Sequence, residues 1–299
     1  MIAMDEFKKN LKESTGFRIF VYLLALLLCS VAGAVVTLFL AVGNDIQLLK
    51  LGQAISSILM FVAPPLILYA FTRKHPMREI GFRKPNTLWM LLIGVALMFV
   101  SLPVTNQLTT WNEKMNFGAA FGWLEDMLKQ MEDMAGDLTE RMLQVDTFGG
   151  LLMNLLVIAL IPAIGEELTF RGVVQQSLVK HCKNAHLGII LSAAIFSFIH
   201  FQFYGFLPRM FLGIILGYMF YYSGSLWTSI LMHFINNGTA VVVAYLEQKG
   251  LSSVDAEHFG ATENIWVIIA SLVVTVGLIV ISNKLKQKYG RKQQLTHGA

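Results

Sequence analysis

Six residues of this chain have types and spacings that can do chemistry. They are Glu166, Glu167 and Arg171, then His200, then His233 and Asn237. The first three follow Phe148 to Gly165, eighteen residues without a charge. A charge at bilayer depth costs about 2.5–3.5 kcal/mol or more, so a retained one marks a functional site by default. A carboxylate can take a proton from water, and an imidazole can hold that water or a developing anion. An amide can donate to an oxyanion. Glu167 and Arg171 stand in the favourable acid-first i, i+4 order, and a guanidinium can grip a carboxylate at two points. His233 and Asn237 are four apart and share a helix face. Each piece also has a plainer role. A membrane histidine can bond a neighbouring helix, a Glu–Arg pair can simply neutralise itself, and Asn236 with Asn237 can join helices. Their concentration in three nearby segments favours one site. His75, His181, His186, His258 and His297 fall in loops, turns or the tail and take no role in it.

The elements that must position these residues follow from composition. Of 299 residues, 55% are apolar and 14% charged, too few charges for a soluble domain of this length. Several uncharged runs reach the length a helix needs to cross a bilayer, and no short alternating segments suggest a barrel. The expected fold is all-α: a polytopic membrane protein of about eight transmembrane helices around a polar intramembrane site. The expected spans are 19–42, 51–71, 87–108, 148–180, 186–204, 210–222, 226–245 and 265–282. Pro64 and Pro65 should kink the second. Residues 1–18, with Lys8, Lys9, Lys12 and Arg18, read as an interfacial helix. The segment 109–147 is strongly acidic, and Met127, Leu128, Met131, Met134 and Leu138 recur at helical spacing within it. That stripe reads as packing surface. Pro208 and Arg209 mark a turn. Gly213 and Gly217 allow close helix approach.

Three regions result: 1–147, spans one to three plus the polar external segment; 148–245, the core with spans four to seven; and 246–299, an external loop, the last span and a basic tail. Lysine and arginine gather in 1–18, 73–84 and 284–292, which places both termini in the cytoplasm and the protein in the cell membrane, crossing it many times. The first run is too long for a cleaved signal peptide, and no lipidation motif stands at either end. Cys29 and Cys182 imply neither a disulfide framework nor a zinc site. The patterns HExxH, GxSxG and GxGxxG are absent, and no basic patch interleaved with aromatics points to nucleic acid.

Depth links the motifs. Glu166 lies 17 residues before the turn at Lys183 and His200 lies 17 after it. In an antiparallel hairpin equal counts give similar depth, so the two can face each other.

The pattern resembles the CPBP family: CAAX prenyl endopeptidases of the Ras-converting type and the bacteriocin-processing or immunity enzymes, also called the Abi family. Its EExxxR motif stands as Glu166-Glu167-Leu168-Thr169-Phe170-Arg171. FxxxH stands as Phe196-Ser197-Phe198-Ile199-His200, and HxxxN as His233-Phe234-Ile235-Asn236-Asn237. The resemblance covers about residues 150–245. It implies that Glu166 and His200 activate water, that His233 and Asn237 stabilise the oxyanion, and that Glu167 and Arg171 support them. It implies a glutamate-type intramembrane endopeptidase that needs no cofactor.

The expected function is thus hydrolysis of a peptide bond within the membrane, at a cavity opening to the cytoplasmic face. The expected partners are the bilayer and a peptide or membrane-protein substrate, with or without a lipid modification. Alternatives are a zinc-dependent hydrolase with Glu166, His200 and His233 as ligands, a non-catalytic immunity or scaffold protein, and a proton-coupled transporter.

Overall fold

The computed structural model describes residues 14–43, 45–118, 121–252 and 259–297, with side chains to residue 289. Lys8, Lys9, Lys12, Asn44 and His258 lie outside the described residues, as do the side chains of Arg291, Lys292 and His297. Among the described residues there is no strand. The long helices are α1 (Thr15–Ala41), α2 (Ile46–Thr72), α7 (Phe148–Cys182), α9 (Phe206–Ser223), α10 (Leu226–Gln248) and α11 (Ile265–His297). Shorter ones are α3 (Pro76–Ile80), α4 (Trp89–Val100), α5 (Leu102–Glu113), α6 (Gly122–Leu143) and α8 (Ala185–Phe198).

Among the described residues, six helices are long and apolar enough to cross a bilayer. The pair α4 and α5, bent by 44°, makes a seventh. Its break falls at Ser101, ahead of Pro103, which sits in the first turn of α5 where its missing N–H costs nothing. The fifth expected span, 186–204, is shorter than its sequence suggested. Helix α8 has 14 residues, about 21 Å at 1.5 Å each, against ~30 Å of hydrocarbon. It stops at Phe198 because the chain turns over Ile199 and His200, and Phe201 adopts a left-handed φ of 54°. Pro208 and Arg209 do not form a turn; they lie in the first turn of α9.

Helix direction alternates. Asn86, Ala185, Tyr222 and Asn283 line one cavity, so the start of α4, the start of α8 and the ends of α9 and the apolar part of α11 share one end. At the other end, the N–H of Val145 donates to Gln248 at 3.1 Å and Asn106 donates to the carbonyl of Phe259 at 3.1 Å. The outermost helices are α1 and α11, with Phe20, Leu27 and Val273 more than half exposed as lipid-facing groups should be.

The segment 109–147 holds the loop that follows His200. Asn112 accepts the N–H of Leu207 at 2.7 Å, and Phe117 packs on Phe203 with ring centroids 4.9 Å apart. Glu132 of α6 accepts the N–H of Tyr204 at 3.2 Å. The amphipathic helix is present, and its methionine stripe is divided: Leu128 and Met131 are half-buried, while Met127, Met134 and Leu138 are exposed. The helix contacts the protein through Glu132 and, near its end, through the buried Met142, which packs with Ala54 and Val157.

Burial raises the Glu132 carboxyl above its ordinary value of 4.5. A carboxyl raised in the folded state contributes stability that is present below the unfolded value and lost as pH rises through the folded one. Glu132→Gln keeps an acceptor for Tyr204 and removes the charge. Its unfolding midpoint should therefore fall less than the wild type's as pH rises from 4.5. Parallel thermal scans across pH check this; identical slopes would remove Glu132 as a pH-sensitive clasp.

Candidate active site

Helix α7 carries both carboxylates, and it is widened twice. Leu155–Leu160 and Leu168–Gln175 are π-helical, flanking the α-helical turn Ile161–Glu167. Such widenings cluster at functional sites, and they leave carbonyls for outside donors. The carbonyl of Gly172 accepts from Tyr69 Oη at 2.8 Å and from Gln176 Nε2 at 2.9 Å. The carbonyl of Phe170 accepts from Ser192 Oγ at 3.3 Å. Thr169 Oγ1 donates to the carbonyl of Phe61 at 2.8 Å, tying α7 to α2 beside the site. There a Cβ on Gly165 would lie 2.8 Å from Phe61 Cβ, so glycine is what lets α2 come this close.

Glu167 points fully inward. Its Oε1 lies 2.8 Å from Arg171 Nη1 and 2.9 Å from His233 Nδ1. The carboxylate accepts, so Nδ1 carries the hydrogen and Nε2 faces the other way. Nε2 is 3.7 Å from Glu166 Oε2. Glu166 is the more open of the two, with 13% of its side chain exposed against none for Glu167. The expected two-point Arg–Glu grip is absent. Arg171 uses Nη1 towards Glu167, close but poorly aligned for a hydrogen bond, and Nη2 to donate to the carbonyl of Gly213 at 3.1 Å. Arg171 is thereby divided between its own helix and α9.

The Gly213 contact belongs to a ladder. Gln175, one turn after Arg171, donates to the carbonyl of Gly217, one turn after Gly213, at 3.0 Å. A Cβ on Gly217 would stand 2.7 Å from Gln175 Oε1 and 2.9 Å from Ile189. The small-residue spacing on α9 thus serves to admit two polar side chains from α7 to backbone carbonyls.

Phe196, which the sequence marks as the first residue of a motif but gives no role, is the hub of the site. Its buried ring stands edge-on to Phe170 at 5.1 Å, to His200 at 5.1 Å and to His233 at 6.0 Å. The Arg171 guanidinium lies 5.1 Å from the same ring. One aromatic side chain therefore spaces both histidines and the arginine, which gives the first position of Phe196-Ser197-Phe198-Ile199-His200 a physical reason. The carbonyl of Phe196 also accepts from His200 Nδ1 at 2.8 Å. That fixes the tautomer and leaves Nε2 with a free lone pair.

His200 lies just beyond α8, in the turn, rather than within a span. Glu166 meets His233 directly, whereas no hydrogen bond joins Glu166 to His200 among the described residues. Asn237 is half-buried, and its Oδ1 accepts from Asn236 Nδ2 at 3.1 Å, leaving the Asn237 amide hydrogens to be donated. Arg209, treated in the sequence as a turn marker, also belongs to this neighbourhood. Its guanidinium donates to the carbonyl and to Oε1 of Gln202, at 3.4 and 3.0 Å, and Gly205 makes room for it. Among the described residues no group of three His, Cys, Asp or Glu side chains converges as a metal set would. His233 is held by Glu167 on one nitrogen and turned to Glu166 on the other.

Residues 148–239 match the family model for the Rce1-like type II CAAX prenyl endopeptidase. No curated protein and no solved structure matches the chain. The matched stretch runs from the start of α7 into α10 and contains all three motifs and every contact just described among α7, α8, α9 and α10. Across residues 148–239, then, this multi-pass membrane protein is similar to the Rce1-like type II CAAX prenyl endopeptidases.

Proposed function

We propose that the chain is a glutamate-type intramembrane endopeptidase, with Glu166 as general base and no metal required. The observation that carries this is the opposite setting of two adjacent carboxylates. Glu167 is locked to Arg171 and His233, while Glu166 is left open with no partner closer than 3.7 Å. A base must be free to reach water, and Glu166 is the free one.

In the proposed reaction Glu166 takes a proton from water while His200 Nε2 accepts the water's other hydrogen. The oxygen attacks the peptide carbonyl carbon. His233 and the Asn237 amide stabilise the oxyanion. The C–N bond then breaks, and the proton on Glu166 passes to the leaving amine. Glu167 and Arg171 hold His233 and the helix register.

The alternative is a zinc hydrolase with Glu166, His200 and His233 as ligands, since a catalytic zinc often has three protein ligands and one water. The deciding measurement is peptide hydrolysis by purified protein after exhaustive chelation, with metal content measured on the same sample. Activity that persists without metal supports the glutamate mechanism. Activity that returns only with stoichiometric zinc overturns it.

Asn237→Ala should lower kcat by about 10²-fold with little change in KM, because the lost donor acts on the transition state. Progress curves over a range of substrate concentrations check this; a change confined to KM would remove Asn237 from the oxyanion site.

With both termini cytoplasmic, as the lysine and arginine bias argues, the Lys183 turn is inside and Glu166 lies about 25 Å of helix away. That depth, with α6 seated on the loop after His200, favours the outer half of the bilayer over the expected cytoplasmic opening. Whether the peptide substrate is lipid-modified is a separate question, answered by comparing hydrolysis of a membrane peptide with and without its lipid.

A further inference from the structure

Away from the active site, at the end shared by the starts of α4 and α8 and the end of α9, lies a cavity of about 510 Å³. It is lined by Asn86, His186, Tyr221, Tyr222, Asn283 and Lys286, with Ala185 and Gln287 completing it. We propose that this cavity binds the phosphate-bearing headgroup of an anionic phospholipid.

Three observations meet here. The first is position. The apolar run of α11 ends at Ser282, and the lining begins at Asn283. Helix α9 ends at Ser223 and α8 begins at Ala185. Several helices thus leave the hydrocarbon at one level, and the cavity lies at that level, where headgroups are. The second is the donor set. The lining offers an ammonium, an imidazole, three carboxamides and two phenols, and no carboxylate. Lys84, Lys183, Lys284 and Lys288 lie within three residues of lining positions in the sequence. A basic recess between membrane helices at the headgroup level suits a lipid phosphate.

The third is that the donors are already held. The Lys286 ammonium lies 3.6 Å from the centre of the Tyr221 ring and 5.7 Å from that of Tyr222. Tyr222 stacks on Tyr218, whose hydroxyl is 2.8 Å from His186 Nδ1. Asn86 donates to the carbonyl of Tyr222 at 3.0 Å. A cation fixed over aromatic faces loses little freedom when an anion arrives, so the site is organised before it is filled.

The test uses the full chain in nanodiscs of phosphatidylcholine alone or mixed with phosphatidylglycerol. Wild type should unfold about 2–4 °C higher in the mixed discs. Lys286→Gln and His186→Gln should each lose most of that difference. Lys284→Gln, whose side chain is outside the cavity, should keep it, and Lys286→Arg should keep most of it. The response to lipid is read within each variant, so a lowered baseline does not obscure it. Should Lys286→Gln fail to fold, His186→Gln carries the same comparison. Equal loss in Lys284→Gln and Lys286→Gln would reduce the effect to general attraction by the tail and overturn the site. No loss in either cavity variant would overturn it too. Inorganic phosphate producing the same rise in phosphatidylcholine discs would overturn the lipid assignment. None of these readouts depends on protease activity.

Discussion

Glu166→Gln should leave a folded protein whose peptide-bond hydrolysis has fallen by about 10²–10⁴-fold, the usual contribution of a positioned general base. The fold should survive because Glu166 holds nothing in place. Its one close ionic neighbour is His233 Nε2 at 3.7 Å, and glutamine has the same shape. The loss should be in the chemical step, so single-turnover rates should fall as far as steady-state rates while substrate still binds. The pairing of an unchanged unfolding midpoint with lost turnover separates a base from a structural acid. Turnover near the wild-type rate would sink the mechanism, and with it the distinction drawn between the two carboxylates.

Arg171→Ala should be the most destabilising single change in the site. Arg171 and Glu167 are both essentially sealed from solvent, and removing one partner of such a pair costs about 3–5 kcal/mol because the other charge is stranded. The same change breaks the bond to the Gly213 carbonyl and leaves the Phe196 ring without its cation. Folded yield should drop sharply, with activity lost as a consequence. Arg171→Lys keeps the charge but not the divided reach to Glu167 and Gly213, so it should recover only part of the stability. Thermal unfolding in detergent gives both values. An alanine variant with wild-type stability and no activity would recast Arg171 as a group acting directly on substrate.

Much of this arrangement was legible in the chain. The turn at Lys183-Asn184 reads from an apolar run, a polar break and a second run. In the structure Lys183 adopts a left-handed φ of 52°, and Asn184 accepts the N–H groups of His186 and Leu187. The placing of the motif residues on α7, at the end of α8 and on α10 follows from one-turn spacing, although His200 itself falls in the turn just past α8. What did not read out depends on packing between elements. Nothing in Leu155–Leu160 announces a π-helical turn, because widening is settled by which outside donors reach the freed carbonyls. Phe196 stood out only as a motif position, since a ring's role as spacer exists only once four neighbours surround it. The Arg171–Gln175 and Gly213–Gly217 pairs do share a spacing of four, and that match was a usable signal for the ladder. The end of α8 was misplaced because Ile199 to Tyr204 is apolar enough to continue a span, while Phe201 turns the backbone away.

The shortness of α8 has a consequence for the lipid around it. Its outer face is apolar and uncovered along its length, from Leu187 through Ile190, Leu191 and Ile195 to Phe198. That face offers about 21 Å of hydrocarbon contact to a bilayer whose core is ~30 Å thick. Mismatch of this kind costs a fraction of a kcal/mol per Å, and lipid relieves it by dimpling towards the short side. Such a dimple would lie over the end of α8, where His200 stands. On the reading proposed above, a peptide in the headgroup layer would then have less hydrocarbon to cross before meeting polar side chains. One missing turn and a half of helix would in this way make the bilayer part of the approach to the site.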